Sequence, residues 1–229
     1  MRLKILSWNI WYDGQFDKIS RFLTSGEADI ICLQEMTPDD PTRDTIGLLK
    51  KLGYKYAYAP AHTIENDGRT MSNAIFSKYH IIRHETYVLS DTDRRNALRA
   101  DIKIGETILH VFCTHLLHTH QRPSAAQELQ AKNLMKVLSN ERTVAMGDFN
   151  ATPESAAIKE MAKIMADSDP SLTATLYAPL FNCSGCDSRT IAGTRLDYIF
   201  TSRDIKVNSF KVHGAAGSDH LPISVIIEI

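Results

Sequence analysis

The sequence predicts an α/β (α+β) fold in which two β-sheets pack face to face and helices cover their outer sides. Three observations carry this. Short β-branched and apolar runs recur along the whole chain. Stretches with helical spacing come between groups of these runs, without a strict strand–helix–strand alternation. The strand-like runs also occur in successive groups that can pair, which favours two packed sheets over a single wound one.

In chain order, Leu3, Ile5, Leu6, Trp8 and Ile10 predict a strand over residues 2–10, after which Phe16, Ile19, Phe22 and Leu23 fall at helical spacing. Ile30-Ile31-Cys32-Leu33 is continuously apolar, the mark of a strand buried on both faces. A Pro- and Asp-rich loop at 37–41 leads into a helix over 44–52. Strands are then predicted at 54–59, 73–76, 81–89, 97–104 and 107–114, with Gly105-Glu106 as a tight hairpin turn. Pro123 opens a helix to 138 that has Ala131, Leu134 and Leu138 on one face. A short strand at 144–146 precedes a helix over 153–166, for which Thr152 is the expected cap. Residues 167–193 lack periodicity and are expected to form a long functional loop. Strands at 196–201, 207–212 and 221–229 complete a single domain spanning residues 1–229.

The chain has 229 residues, with 26 Lys+Arg against 27 Asp+Glu and a formal net charge of −1. That balance argues against a protein that coats nucleic acid or an anionic membrane by bulk charge, while leaving room for a local basic groove. No apolar run approaches the roughly 18–20 residues of a membrane span, and the N-terminus lacks the apolar core of a signal peptide. Four cysteines are too few for a disulfide scaffold, and Cys32 and Cys113 lie within apolar runs. A cytoplasmic, reduced, monomeric protein is the expectation.

The informative feature is a series of polar residues placed directly at the ends of apolar runs. Asn9 closes Ile5-Leu6-Ser7-Trp8, Glu35 closes Ile30-Ile31-Cys32-Leu33-Gln34, and His115 closes Val111-Phe112-Cys113-Thr114. Asp148 and Asn150 follow Val144-Ala145-Met146-Gly147, Asp197 opens Tyr198-Ile199-Phe200, and Asp219-His220 precede Leu221-Pro222-Ile223. Taken singly, each has an ordinary reading as a turn residue, a cap, an exposed carboxylate or a buried hydrogen-bonded histidine. Taken together, they supply carboxylates, amides and imidazoles at the places where rigid strands deliver side chains to a shared cleft. Hard cations such as Mg²⁺ take carboxylate and amide oxygens, and phosphoryl chemistry needs groups that orient water and neutralise charge.

Ser7-Trp8-Asn9, Leu33-Gln34-Glu35, Thr114-His115-Leu116, Gly147-Asp148-Phe149-Asn150, Arg195-Leu196-Asp197-Tyr198-Ile199-Phe200 and Ser218-Asp219-His220 occur in the order of one superfamily. In them the chain resembles the endonuclease/exonuclease/phosphatase group of deoxyribonuclease I-like and exonuclease III-like metal-dependent hydrolases, from about residue 5 to residue 223. The resemblance implies a four-layer sandwich of two packed mixed sheets flanked by helices. It also implies Glu35 as the principal Mg²⁺ ligand (Mn²⁺ a possible substitute), with Asn9 nearby and Asp219 helping to hold the metal or its waters. Asp148 would orient and deprotonate the attacking water, and Asn150 would position that water or a phosphate oxygen. His220 would contact the scissile phosphate with Asp197 fixing its tautomer, and His115 would hold the phosphate or leaving group. Whether Asp148 or His220 is the base stays open.

Weaker signals supply candidate substrate contacts. Asn73 reads either as a cleft-facing residue or as a turn residue, and among Arg94, Arg95 and Arg99 one is expected to reach a substrate phosphate, with Arg99 the choice. Trp11 and Tyr12 read as stacking residues or as loop packing, and His118 reads first as a surface histidine and second as a residue near the site. Cys183-Ser184-Gly185-Cys186 reads first as plain loop thiols, second as a disulfide and third as a zinc site, because a structural zinc site wants four ligands and only one Cys pair is visible.

The resemblance fixes the chemistry better than the substrate. Nucleic acid is the expected partner, with cleavage as an endonuclease, an exonuclease or an end-processing enzyme. The alternative substrates are a phospholipid headgroup, an inositol phosphate or another small phosphate ester. A catalytically dead scaffold is the remote third reading, and loops 60–72 and 167–193 are expected to shape the choice.

Overall fold

A computed structural model of the chain describes residues 1–229 except 26, 66, 178, 181, 182, 184, 185, 187–192, 215 and 216. The chain begins with β1 (Arg2–Asn9), α1 (Phe16–Ser25) and β2 (Ile30–Met36), followed by a 3₁₀ turn at Pro41–Arg43 and α2 (Thr45–Lys51). Five strands then follow, β3 (Lys55–Thr63), β4 (Thr70–Ser77), β5 (His80–Val88), β6 (Asn96–Ile104) and β7 (Thr107–His115). The rest comprises α3 (Ala125–Val137), β8 (Thr143–Asp148), α4 (Ala156–Ile164), the two-residue β9 (Ala166–Asp167), β10 (Asp197–Thr201), β11 (Lys206–Val212) and β12 (Ile223–Glu228).

Two six-stranded sheets form, in the orders β11-β12-β1-β2-β4-β3 and β5-β6-β7-β8-β10-β9. Each contains one parallel pair, β1 with β2 and β7 with β8, and its other pairings are antiparallel. The parallel pairs are bridged by α1 and α3, so Asn9, Glu35, His115 and Asp148 all lie at carboxyl ends of parallel strands. That end of an α/β sheet is where ligands bind, since the crossover helices leave it open.

The side-chain alternation of the strands explains the layering. In β2, Ile30 and Cys32 enter the core between the sheets, while Ile31 and Leu33 pack on the other face with Ile19 and Leu23 of α1 and Leu49 of α2. In the second sheet Val111, Cys113, Val144 and Met146 face the middle. Phe112 and Ala145 face outward with Ala131 and Leu134 of α3 and Met161 of α4. The result is the α/β/β/α four-layer sandwich expected from the sequence. Cys32 and Cys113 are buried free thiols.

Ser124 caps α3 by accepting from the Gln127 backbone N–H, in agreement with a helix opening at Pro123. The helix predicted over 153–166 is shorter: its cap is Ser155, which accepts from the Ile158 N–H, rather than Thr152. Its far end gives way at Met165 to β9, whose partner is β10. The segment 60–72 is the hairpin of β3 and β4, and part of the predicted loop at 167–193 lies outside the described residues.

Candidate active site

The strand ends bring the predicted polar residues to one buried cluster. Asn9 Nδ2 donates to Glu35 Oε1 and to Asp148 Oδ2, at 3.0 Å each, and so ties the first sheet to the second. Its Oδ1 accepts from the Trp11 N–H at 3.0 Å, which fixes the amide orientation. His115 Nε2 lies 3.5 Å from Asp148 Oδ2 and 3.9 Å from Glu35 Oε1. On the other side His220 Nε2 lies 3.5 Å from the same Asp148 oxygen, and its Nδ1 meets Asp197 Oδ2 at 2.8 Å. That contact makes Nδ1 the protonated nitrogen and aims Nε2 at Asp148.

Local backbone features explain how the strands deliver these groups. The pairing of β2 with β4 shifts register between Leu33 and Met36, and Glu35 within this bulge has φ +58°. An extra residue at a bulge redirects a side chain that strand alternation would send to the opposite face. Asn150, at φ +49°, also occupies the left-handed region, one that Asn tolerates better than most residues. Its N–H donates to Asp148 Oδ1 at 2.8 Å and its Nδ2 to the Leu116 carbonyl at 3.0 Å. Asp197 stands opposite Asp148 in the β8–β10 register. The neighbouring Arg195 guanidinium is occupied by both oxygens of Asp167, at 2.8 and 2.7 Å, which leaves the Asp197 carboxylate for His220. Trp8 Nε1 donates to the His220 carbonyl at 2.8 Å and anchors that loop. Ser218 Oγ donates to the Asn9 carbonyl and lies 3.3 Å from Asp219 Oδ1.

Burial dominates the electrostatics. It raises the pKa of Glu35, with the Asp219 charge adding to the shift and the Asn9 hydrogen bond opposing it. Burial likewise lifts Asp219 and pushes the Asp148 carboxyl up to about 7, opposed there by His220 and reinforced by Asp197. Burial drives His115 well below its ordinary value, with Arg95 and His220 adding to the shift. For His220, burial alone would lower the pKa, but Asp197 and Asp148 hold it well above the usual range. The cluster is therefore a set of oxygen donors crowded together with a histidine that favours its charged form.

Two secondary candidates do not join the cluster. Asn73 is buried on β4 and donates to the Asn96 carbonyl at 3.2 Å and to Asn96 Oδ1 at 3.0 Å, so it ties the two sheets together. Arg99 lies on the outer face of β6, where Asp101 and His110 hold its guanidinium at 2.8 and 3.0 Å over the Phe112 ring. Arg95, by contrast, lies beside the cluster: its guanidinium feels Glu35 and Asp148 and reaches 3.5 Å from the His115 carbonyl. Arg95, Arg94 and His62 border a surface cavity of about 560 Å³ that reaches Leu117, just past His115. The Tyr12 N–H donates to Glu35 Oε2 at 3.3 Å, and its ring packs under the Arg69 guanidinium. His118 is half-buried rather than a surface residue, and Cys183 and Cys186 form a disulfide rather than plain thiols.

Arg95→Ala is expected to raise KM for an anionic ester by about tenfold or more, the worth of one charge-assisted contact, with a smaller change in kcat. Arg99→Ala is expected to leave both within about twofold. Steady-state kinetics of the two variants check the assignment, and the reverse ranking contradicts it.

The profile of the Endonuclease/Exonuclease/phosphatase family matches residues 6–220. No curated protein matches the sequence. Among solved structures, an endonuclease/exonuclease/phosphatase from Beutenbergia cavernae DSM 12333 superposes with a TM-score of 0.81 at 17% identity, covering 100% of this chain and 72% of that one. D. rerio TDP2 complexed with a single-strand DNA product gives 0.76 at 17% identity, covering 100% and 99%. The Bacteroides thetaiotaomicron VPI-5482 mannosyl-6-phosphatase Bt3783 gives 0.72 at 19% identity, covering 99% and 100%.

Proposed function

The chain belongs to the endonuclease/exonuclease/phosphatase family of phosphoesterases, and from that premise we propose that it is a Mg²⁺-dependent phosphodiesterase acting on nucleic acid. The observation that carries the reading is the convergence of Asn9, Glu35, His115, Asp148, Asp197 and His220 from both sheets within one hydrogen-bonded cluster. A binding scaffold has no need to bury this many mutually repelling groups, whose unpaired charges destabilise the fold.

The donor set fits a hard divalent cation. The Asp219 charge adds to the upward shift that burial gives Glu35, a repulsion that a bound cation relieves. Glu35 would hold the ion, with Asn9 and Asp219 beside it. Asp148, Asp197 and His220 also gather ligand atoms within 4.8 Å of one another. There, however, the imidazole already holds Asp197 at 2.8 Å, an arrangement suited to handling a proton rather than to binding a second ion. When bound, Mg²⁺ supplies charge neutralisation at the phosphate.

The chain's own groups do the rest. Asp148 accepts from a water beside the ester and takes its proton as the oxygen attacks phosphorus, while Asn150 restrains the carboxylate through its backbone N–H. His220, protonated and braced by Asp197, donates toward the phosphate oxygens on which charge develops. His115, kept neutral by burial, holds a non-bridging or leaving oxygen, and Arg95 draws the substrate in. Attack in line with the leaving oxygen needs no covalent intermediate.

Glu35→Ala is expected to weaken Mg²⁺ binding by about tenfold or more in titration calorimetry, since it removes the charged ligand. A wild-type isotherm would remove Glu35 from the metal site. The balanced charge and the similarity to the Bacteroides phosphatase fold favour a small phosphate ester as the second reading. A panel of single-stranded, duplex and end-blocked oligonucleotides, run beside sugar phosphates and a chromogenic diester, separates the two. The proposal expects cleavage of an oligonucleotide, and turnover confined to the small esters overturns it in favour of the second reading.

A further inference from the structure

The loop after β7 carries His118 and His120, and these meet Cys183 and Cys186 across 63 to 68 residues of sequence. His120 Nδ1 lies 3.2 Å from Cys183 Sγ and 3.7 Å from Cys186 Sγ. His118 Nε2 lies 4.0 and 3.7 Å from the same two sulfurs. The two imidazole centroids are 4.7 Å apart, and all four ligand atoms fall within 4.8 Å of one another. Around a tetrahedral zinc ion, bonds of ~2.3 Å to sulfur and ~2.0–2.1 Å to nitrogen place each S···N edge at about 3.6 Å. The four cross-distances, from 3.2 to 4.0 Å, bracket that edge.

We propose that His118, His120, Cys183 and Cys186 form a structural Cys₂His₂ zinc site, separate from the carboxylate cluster and available only when the cysteines are reduced. Its soft thiolate and imidazole donors select zinc, whereas the oxygen-rich cluster around Glu35 selects a hard cation. Four protein ligands fill the tetrahedron and leave no open position for a substrate, which makes the site a fastener rather than a second catalytic centre. It pins Cys183 and Cys186 to the loop that begins just past His115, at the rim of the cleft.

The disulfide and the zinc site exclude each other, because a disulfide sulfur is not a thiolate ligand. A phosphine and one water convert the disulfide to two thiols, the phosphine leaving as its oxide with the water oxygen and both hydrogens passing to sulfur. Zinc binding then releases those two protons to solvent as both thiolates coordinate. Oxidation closes a link only between Cys183 and Cys186, so the metal tie from these residues to His118 and His120 forms only in the reduced chain.

Cobalt(II) titration tests this, since tetrahedral thiolate-bound cobalt shows a thiolate-to-metal charge-transfer band and intense visible bands that oxygen ligation does not give. The chelator-treated, phosphine-reduced chain is expected to develop these bands and saturate at one equivalent, and to lose them when Zn²⁺ is added. The oxidised chain and the double variant Cys183→Ser/Cys186→Ser are expected to show neither band. His118→Ala and His120→Ala should each weaken Zn²⁺ binding by at least about tenfold, the scale on which even supporting residues around a metal act. Circular dichroism confirms that the variants are folded. No thiolate band in the reduced wild type, a band that survives Cys183→Ser/Cys186→Ser, or unchanged affinity in both histidine variants would each overturn the proposal.

Discussion

Asp148→Asn is expected to remove turnover, lowering kcat by about 10²–10⁴-fold as loss of a positioned general base does, while substrate binding stays close to wild type. Asp148 Oδ2 is the point where Asn9, His115 and His220 converge, and its Oδ1 is held by the Asn150 N–H. The amide keeps the shape but cannot accept a proton from water, and it offers one acceptor oxygen where the carboxylate offers two. The loss of one hydrogen bond, worth ~1 kcal/mol, is offset by the relief of a buried carboxyl whose pKa stands at about 7. Thermal unfolding should therefore shift little or rise. Single-turnover kinetics with a fluorescent phosphodiester check the rate, and a variant within tenfold of wild type would remove Asp148 from the chemistry.

Among the described glycines, Gly147 is expected to give the most damaging change to Ala. Gly147 has φ +145°, and a Cβ placed there meets the Thr114 carbonyl oxygen at 1.9 Å. That oxygen belongs to the parallel partner strand, in register with Gly147, so neither backbone can yield without breaking the β7–β8 ladder. Strain at such a position combined with a backbone clash costs upwards of about 3 kcal/mol. Urea unfolding of the variant measures the loss. A midpoint within the error of wild type would mean that the two strands separate more easily than their register implies. Because Asp148 and His115 end these same strands, the folded remainder should also turn over more slowly.

Much of this site was legible before the structure because its residues obey one rule. Asn9, His115 and Asp148 are the last residues of strands whose apolar character is unmistakable, and the parallel pairing then gathers these ends. Glu35 was found for its place in the order of motifs. The bulge that turns it into the cleft has no signature in the run Ile30-Ile31-Cys32-Leu33-Gln34. The placement of Arg99 away from the cluster follows from strand alternation. The residue lies between Leu98 and Ala100, which face the core between the sheets, so period-two alternation puts Arg99 on the outer face. Arg95 precedes β6 and escapes that alternation. The shortened α4 turned on competition between two adjacent hydroxyl caps, Thr152 and Ser155, which propensity alone does not decide. The histidine–cysteine cluster joins positions more than sixty residues apart, and sequence spacing shows only one half of such a site.

A metal-dependent phosphoesterase centre at the buried carboxylate–imidazole cluster makes cleavage depend on both the ion and Asp148. The most direct test is the rate of phosphodiester cleavage by the reduced wild-type chain, freed of metal by a chelator and assayed before and after Mg²⁺ is restored. The chelated protein is expected to show no turnover and Mg²⁺ to restore it fully, with no recovery in Asp148→Asn. Undiminished cleavage in the presence of chelator, or equal Mg²⁺-stimulated rates in wild type and Asp148→Asn, would contradict it.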